Sequence, residues 1–187
     1  GYRIEWSGRR DGRRGESCPV LVRGARAEVT GATTRWYGDD PDVAGSRLPG
    51  ASFSRVATIC RVRIGGREIQ VVNTHLDEAV AGNRLRSVEL LLGWLDVETP
   101  RVVVGDLNAE AGDDVIRRLE ESGLRRALPA DAPGTNHDFT GRTDGLGIDH
   151  ILVSEQLAVV RAEVRTERPY GRLPSDHWPV VAELSFS

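Results

Sequence analysis

A mixed-sheet sandwich of strands and helices, α/β or α+β in class, is the architecture that this 187-residue sequence predicts. Three observations carry that prediction. Strand-like runs dominate the first third and the end of the chain. Gly65-Gly66 sits between two of these runs as a two-residue hairpin turn, which makes antiparallel neighbours. An amphipathic helical stretch then separates two further strands, the crossover that parallel pairing needs. Hairpins and crossovers together call for a mixed sheet rather than a purely parallel, doubly wound one.

The elements follow in order. Ser17–Arg23, Ala27–Thr33, Arg55–Ile64 and Glu68–Asn73 read as strands on their Val, Ile and Thr content. From Ala79 to Leu95 the apolar spacing changes to three and four: Leu85, Val88, Leu91, Leu92 and Leu95 recur, with Arg84, Arg86 and Glu89 between them. Pro100 closes that helix's exit, and Arg101–Gly105 is a short buried strand. Asp113–Leu119 reads as a second helix with Gly123 as its stop signal. Pro129–Asp144 is a long polar loop, a kind of segment that in compact domains often carries function. Ile148–Val153, Val159–Glu167 and Trp178–Ser185 complete the strands.

Composition narrows the class. An apolar fraction of 39% and a charged fraction of 28% suit one globular domain, residues 1–187, with a real core. No apolar run approaches the roughly 20 residues of a membrane-spanning helix. A net charge of −3 argues against a generic basic nucleic-acid binder. All 25 basic residues are Arg, which excludes mechanisms that need a Schiff-base or P-loop lysine. Cys18 and Cys60 are too few for a disulfide scaffold and are expected to be buried free thiols. The chain opens on Gly1 without Met and without a signal-peptide pattern, so the expected compartment is the cytoplasm. Release of a secreted form from a longer precursor is the alternative.

Four polar clusters border the buried strands: Asn73-Thr74-His75-Leu76-Asp77, Gly105-Asp106-Leu107-Asn108, Ile148-Asp149-His150-Ile151 and Pro174-Ser175-Asp176-His177-Trp178-Pro179. Singly, an Asp after a strand is more often a turn former or a cap than a catalyst. Carboxylates and histidines at several strand ends, however, are costly to bury unless they meet one another or solvent. The residue types suit metal-assisted phosphoryl transfer. Mg²⁺ takes hard oxygen ligands, and Asp106, Asn108 and Asp176 supply two carboxylates and an amide oxygen, with Mn²⁺ as a substitute ion. A histidine beside them can take a proton or face a phosphate oxygen, with a carboxylate fixing its tautomer. Zinc hydrolysis lacks its H-E-x-x-H or Cys/His spacing.

These clusters resemble the downstream motifs of the endonuclease/exonuclease/phosphatase family, in the family's order. Ser54-Arg55-Val56-Ala57-Thr58 is similar to its Arg-bearing strand, and Gly15-Glu16-Ser17-Cys18-Pro19-Val20 to a segment that precedes it in many bacterial members. The resemblance implies a DNase I-like four-layer sandwich, two packed mixed sheets flanked by helices, with the site at one end of the strands. It implies that Asp106 and Asn108 bind the metal or orient water, that His75 lies against the scissile phosphate, and that Asp176 is a metal ligand. His177 becomes the general base or a phosphate contact, oriented by Asp149. Arg55 is either a phosphate partner, since its planar fork matches phosphate oxygens, or one half of a surface ion pair.

One departure from the family stands out. Its members begin with a strand–helix–strand unit that carries an Asn and then the principal metal-binding Glu; nothing of that kind precedes Gly1. Glu5 and Glu16 are early glutamates, but neither ends a strand after Gln, and neither is expected to replace the missing ligand. Three functional expectations follow. The first is a Mg²⁺-dependent phosphoesterase, on phosphodiester or phosphomonoester, acting on DNA, a lipid head group or a small molecule. The second is a non-catalytic module of the same fold. The third is a chain that covers its missing strands by self-association or with a companion segment. For DNA, the Arg9, Arg10, Arg13 and Arg14 cluster is the candidate contact. The loop Thr34–Ser52, with Trp36 and Tyr37, could cover a head group, stack a base, or pack on the sandwich edge.

Overall fold

A computed structural model describes all 187 residues. In chain order the elements are β1 (Tyr2–Glu5), β2 (Val20–Arg23), β3 (Glu28–Trp36), β4 (Val56–Ile64), β5 (Arg67–His75), α1 (Ala81–Trp94), β6 (Arg101–Asp106), α2 (Asp114–Glu121), β7 (Leu124–Arg126), β8 (Asp149–Ser154), β9 (Leu157–Val164) and β10 (Val180–Phe186). Six strands form one sheet in the order β3-β4-β5-β6-β8-β7. Only β5 and β6 pair in parallel, through the α1 crossover; the other pairs are antiparallel. β1–β2 and β9–β10 make two separate antiparallel ribbons.

Register explains the layers. Ile59, Val72, Val103 and Leu152 are cross-strand partners in one row over β4, β5, β6 and β8. They share a core with Val88 and Leu91 of α1 and Val115, Ile116 and Leu119 of α2. Their chain neighbours Cys60, Val71, Val102 and Val153 make the matching row on the opposite face, which meets Val20 and Val22 of one ribbon and Leu157 of the other. The sheet is therefore apolar on both faces, and each fully buried Val or Leu contributes roughly 1.5–3 kcal/mol.

The hairpin turn forms where the sequence predicts it. Gly65 and Gly66 take φ of 57° and 83°, a pair of left-handed conformations that suits a two-residue loop. In α1 the buried stripe runs through Asn83, Ser87, Val88, Leu91 and Leu95, whereas Leu85 is exposed. β1 and β7 lie outside the predicted elements. β1, Tyr-Arg-Ile-Glu, alternates over only four residues and exposes Tyr2 and Ile4, and β7 is a three-residue Leu-Arg-Arg segment, so both are too short to stand out. Cys18 and Cys60 are buried and unpaired, as expected. No helix is long and apolar enough to cross a membrane.

Candidate active site

Register also assembles the site. His75 closes β5, Asp106 closes β6 and Asp149 opens β8; His75 partners Asp106, and Asp106 partners Asp149. One row of three strand ends thus brings together side chains separated by up to 74 positions in sequence. Their side chains fall on the same face as Val71, Val102 and Val153, by the alternation of a strand. Gly105 permits the close approach behind them. Its φ is 143°, and a Cβ there would overlap the Thr74 carbonyl oxygen.

Asp106 is half-buried. Its Oδ1 accepts the Asn108 backbone N–H at 2.9 Å, and its Oδ2 lies 3.4 Å from His75 Nε2. Burial raises its pKa, with nearby Asp149 acting in the same direction, against the lowering effect of His75 and the Asn108 N–H. Asn108 sits at φ 47°, a strained conformation held by that Asx turn. Its amide nitrogen donates to Leu76 O at 3.1 Å, which leaves the amide oxygen for another partner. His150 anchors the same loop, its Nε2 lying 2.8 Å from Ala109 O.

His177 reaches the row from the loop before β10. Its Nδ1 lies 2.7 Å from Asp149 Oδ2. Burial alone would lower the pKa of this imidazole, but the Asp149 hydrogen bond and charge prevail and raise it. His177 and Asp149 are therefore a dyad, as predicted. Ligand atoms of Asp106, Asp149 and His177 lie within 4.8 Å of one another. Asp176, predicted to join Asp106 and Asn108 around a cation, is not among them. Its backbone carbonyl is pinned by the N–H groups of His137 and Asp138, and its carboxylate accepts from Ser175 Oγ at 3.2 Å.

Two carboxylates that the sequence did not place in the site belong to it. Glu16 accepts from His75 Nδ1 at 3.0 Å, from Arg55 at 2.8 Å and from Arg9 at 3.1 Å. Burial disfavours its charge, yet His75, Arg55 and Arg9 together hold its pKa at about 2. Glu78 takes the other end of the Arg55 guanidinium. Arg55 is only 6% exposed, so it is a buried guanidinium bridging two carboxylates, Glu16 partly exposed and Glu78 exposed. Glu78 follows Asn73–Asp77 directly, a signal that was available; Glu16 meets His75 across 59 positions, with no local cue.

The N-terminal arginines are also partly committed. Arg9 stacks over Phe53 at 4.3 Å and Arg14 pairs with Asp11. Trp36 and Tyr37 are buried: the Trp36 indole donates to Arg9 O, and Tyr37 hydroxyl and Thr74 hydroxyl lie 2.9 Å apart. These aromatics pack on the sandwich edge rather than face a ligand.

A family model described as "Endonuclease/Exonuclease/phosphatase family" matches residues 6–177. The chain belongs to the endonuclease/exonuclease/phosphatase family. No curated protein matches it. Among solved structures, a family protein from Bacteroides vulgatus is 29% identical with a TM-score of 0.88, over 100% of this chain and 77% of the other. A Bacteroides thetaiotaomicron mannosyl-6-phosphatase is 26% identical with a TM-score of 0.87, over 100% and 78%. D. rerio TDP2 in complex with a single-strand DNA product has a TM-score of 0.74 at 13% identity, over 98% and 77%, and shows the fold alone. The DNase I-like architecture implied by the motifs is thus the fold of this chain.

The donor set fits a hard divalent cation. Asp106 and Asn108 present a carboxylate and an amide oxygen, and the half-buried Asp106 stands next to a second carboxylate, Asp149. A cation there would relieve the cost of holding two acids together.

Proposed function

We propose that this chain is a Mg²⁺- or Mn²⁺-dependent phosphoesterase whose substrate is a phosphomonoester of a small hydroxylated alcohol, such as a hexose 6-phosphate. The observation that carries the reaction type is the row His75–Asp106–Asp149 with His177 hydrogen-bonded across it. Asp106 and Asn108 would hold the cation, which when bound supplies positive charge against phosphoryl oxygens and makes adjacent water more acidic. The protein's own groups do the rest. Asp149 orients His177 so that Nε2 can take a proton from the attacking water or face the phosphate. Glu16 fixes Nδ1 of His75 and directs Nε2 toward the same region. Arg55 acts through Glu16 and Glu78, which take the two ends of its guanidinium and so hold Glu16 against His75.

The substrate class rests on the cleft beside Asp149. A space of about 550 Å³ is lined by Glu110, Asp113, Arg126, Asp149 and His150 among others; it touches the row at Asp149 and does not reach His75, Asp106 or His177. That volume suits a sugar-sized leaving group, and its many hydrogen-bonding groups suit hydroxyls. Glu110 and Asp113 would repel the next phosphates of a nucleic acid. The mannosyl-6-phosphatase relative supports the same class.

The test is a panel with Mg²⁺ or Mn²⁺: hexose 6-phosphate, p-nitrophenyl phosphate, bis(p-nitrophenyl) phosphate and single-stranded DNA. The expected outcome is fastest turnover of the monoesters, falling by about 10²–10⁴ in His177→Ala. Faster cleavage of DNA than of the sugar phosphate would overturn the substrate class. Cation binding without turnover of any member would replace catalysis by the non-catalytic reading.

A further inference from the structure

The loop between β7 and β8 does more than connect them. Thr135 is fully buried, and its Oγ1 accepts the backbone N–H groups of Ile148 and Asp149, both at 3.1 Å. Its carbonyl accepts the Trp178 N–H at 2.8 Å, and the His137 N–H donates to Asp176 O at 2.8 Å. The His137 ring packs on Trp178 with centroids 4.2 Å apart, and the Trp178 indole donates to Arg142 O. Asn136 and His177 are paired antiparallel between these bonds. Gly145 lets the loop close underneath, since a Cβ there would overlap the Asn136 carbonyl oxygen. Residues 135–137 are thus clipped to both halves of the His177–Asp149 dyad.

At the centre of this clip the Asn136 side-chain nitrogen lies 3.2 Å from His177 Nε2, the ring nitrogen opposite the one held by Asp149. We propose that Asn136 is a positioning residue: its amide holds the outward nitrogen of His177 and sets the angle at which that ring meets the substrate phosphate. The role rests on the phosphoesterase reading. One hydrogen bond, from Asp149, fixes one ring nitrogen but leaves the imidazole free to tilt about that contact. A second contact at the opposite nitrogen removes the freedom. A carboxamide suits the position because it has a donor and an acceptor on one short stem. It can donate to a bare Nε2 until the attacking water or the phosphate takes that place, or, turned over, accept from the Nε2–H once the ring is protonated. Leucine of similar size can do neither, and aspartate can only accept. Holding a reacting group within about 10–20° of its productive angle separates a fast site from a slow one.

The experiment compares Asn136→Leu, Asn136→Gln and the unaltered full chain, with Mg²⁺, in steady-state kinetics and in long-range ¹H–¹⁵N spectra of the imidazoles. The sequence has four histidines, so the ring signals are few. A positioning role predicts that Asn136→Leu lowers kcat about tenfold or more with KM within twofold, and that Asn136→Gln recovers part of the loss. It also predicts that the His177 ring-nitrogen shifts change at constant pH while those of His150 do not. The Trp178 indole ¹H–¹⁵N signal should be unchanged in both variants, because its bond to Arg142 O and the backbone bonds of the clip remain. Unchanged kcat in Asn136→Leu would overturn the role. So would equal losses in Asn136→Leu and Asn136→Gln accompanied by a shifted Trp178 indole ¹H–¹⁵N signal, the mark of a loop that has simply come loose. If the unaltered chain turns over no phosphoester, the phosphoesterase reading fails separately. The spectra then decide: unmoved His177 nitrogens in Asn136→Leu overturn the contact, and moved ones sustain it.

Discussion

Glu16 shows how much one side chain can hold in place. Its carboxylate joins His75, Arg55 and Arg9, three groups from different segments. Its pKa of about 2 lies below its ordinary 4.5, so its contribution to stability is fully present above pH 4.5 and disappears as the pH falls toward 2. Acid unfolding of Glu16→Gln should therefore be flatter across that window. The expected difference is about 1 kcal/mol once solvent screening of the partly exposed carboxylate is allowed for, read from denaturant midpoints at pH 6 and pH 3. An unchanged pH dependence would show that the His75 and Arg55 contacts contribute nothing. Gly105 is the opposite case, a residue whose value lies in what it lacks. Its φ of 143° and the Thr74 oxygen behind it leave no room for a side chain. Gly105→Ala should cost about 3 kcal/mol or more, and a variant that melts like the unaltered protein would contradict the close approach of β5 and β6.

At the scale of elements, the segment between β5 and α1 joins the site to the core. Asp77 accepts the N–H groups of Ala79 and Val80 through Oδ1, and the Asn83 amide through Oδ2. It does the work of a cap for α1, whose own N-cap residue, Val80, has no side-chain bond to give. Asp77→Ala leaves the buried Asn83 amide short of a partner. It should cost about 2 kcal/mol, or roughly 4–8 °C in Tm by calorimetry, and a smaller shift than about 2 °C would mean the turn holds without it. The same scale shows what was legible in the sequence. Val, Ile and Thr content with the Gly-Gly turn located β4 and β5, and apolar spacing of three and four located α1, because burial selects those residues and that spacing. β1 and β7 are too short for a pattern to stand out, four and three residues, and β7 has only Leu124 buried. His75, Asp106, Asp149 and His177 could be read because strand-end motifs mark them. The Glu16 and Asn136 contacts could not, because they arise from loops that meet only after the chain has folded.

For the whole molecule, two apolar faces of one sheet do the folding, and the polar ends of three of its strands are left for chemistry. The helices cover one face, and the ribbons β1–β2 and β9–β10 cover the other. Arg55 and Arg9 are drawn in beside Glu16, and Glu16 and Glu78 balance them, so in a chain of net charge −3 they bring no free positive charge to the row. The most direct measurement is phosphate release from hexose 6-phosphate with Mg²⁺ by the unaltered chain and by His177→Ala, each checked for an unchanged melting temperature. The structure predicts cation-dependent release that falls by about 10²–10⁴ in the variant. Equal release by both proteins, or none from any phosphoester with either cation, would contradict a phosphoesterase centred on the His75–Asp106–Asp149 row.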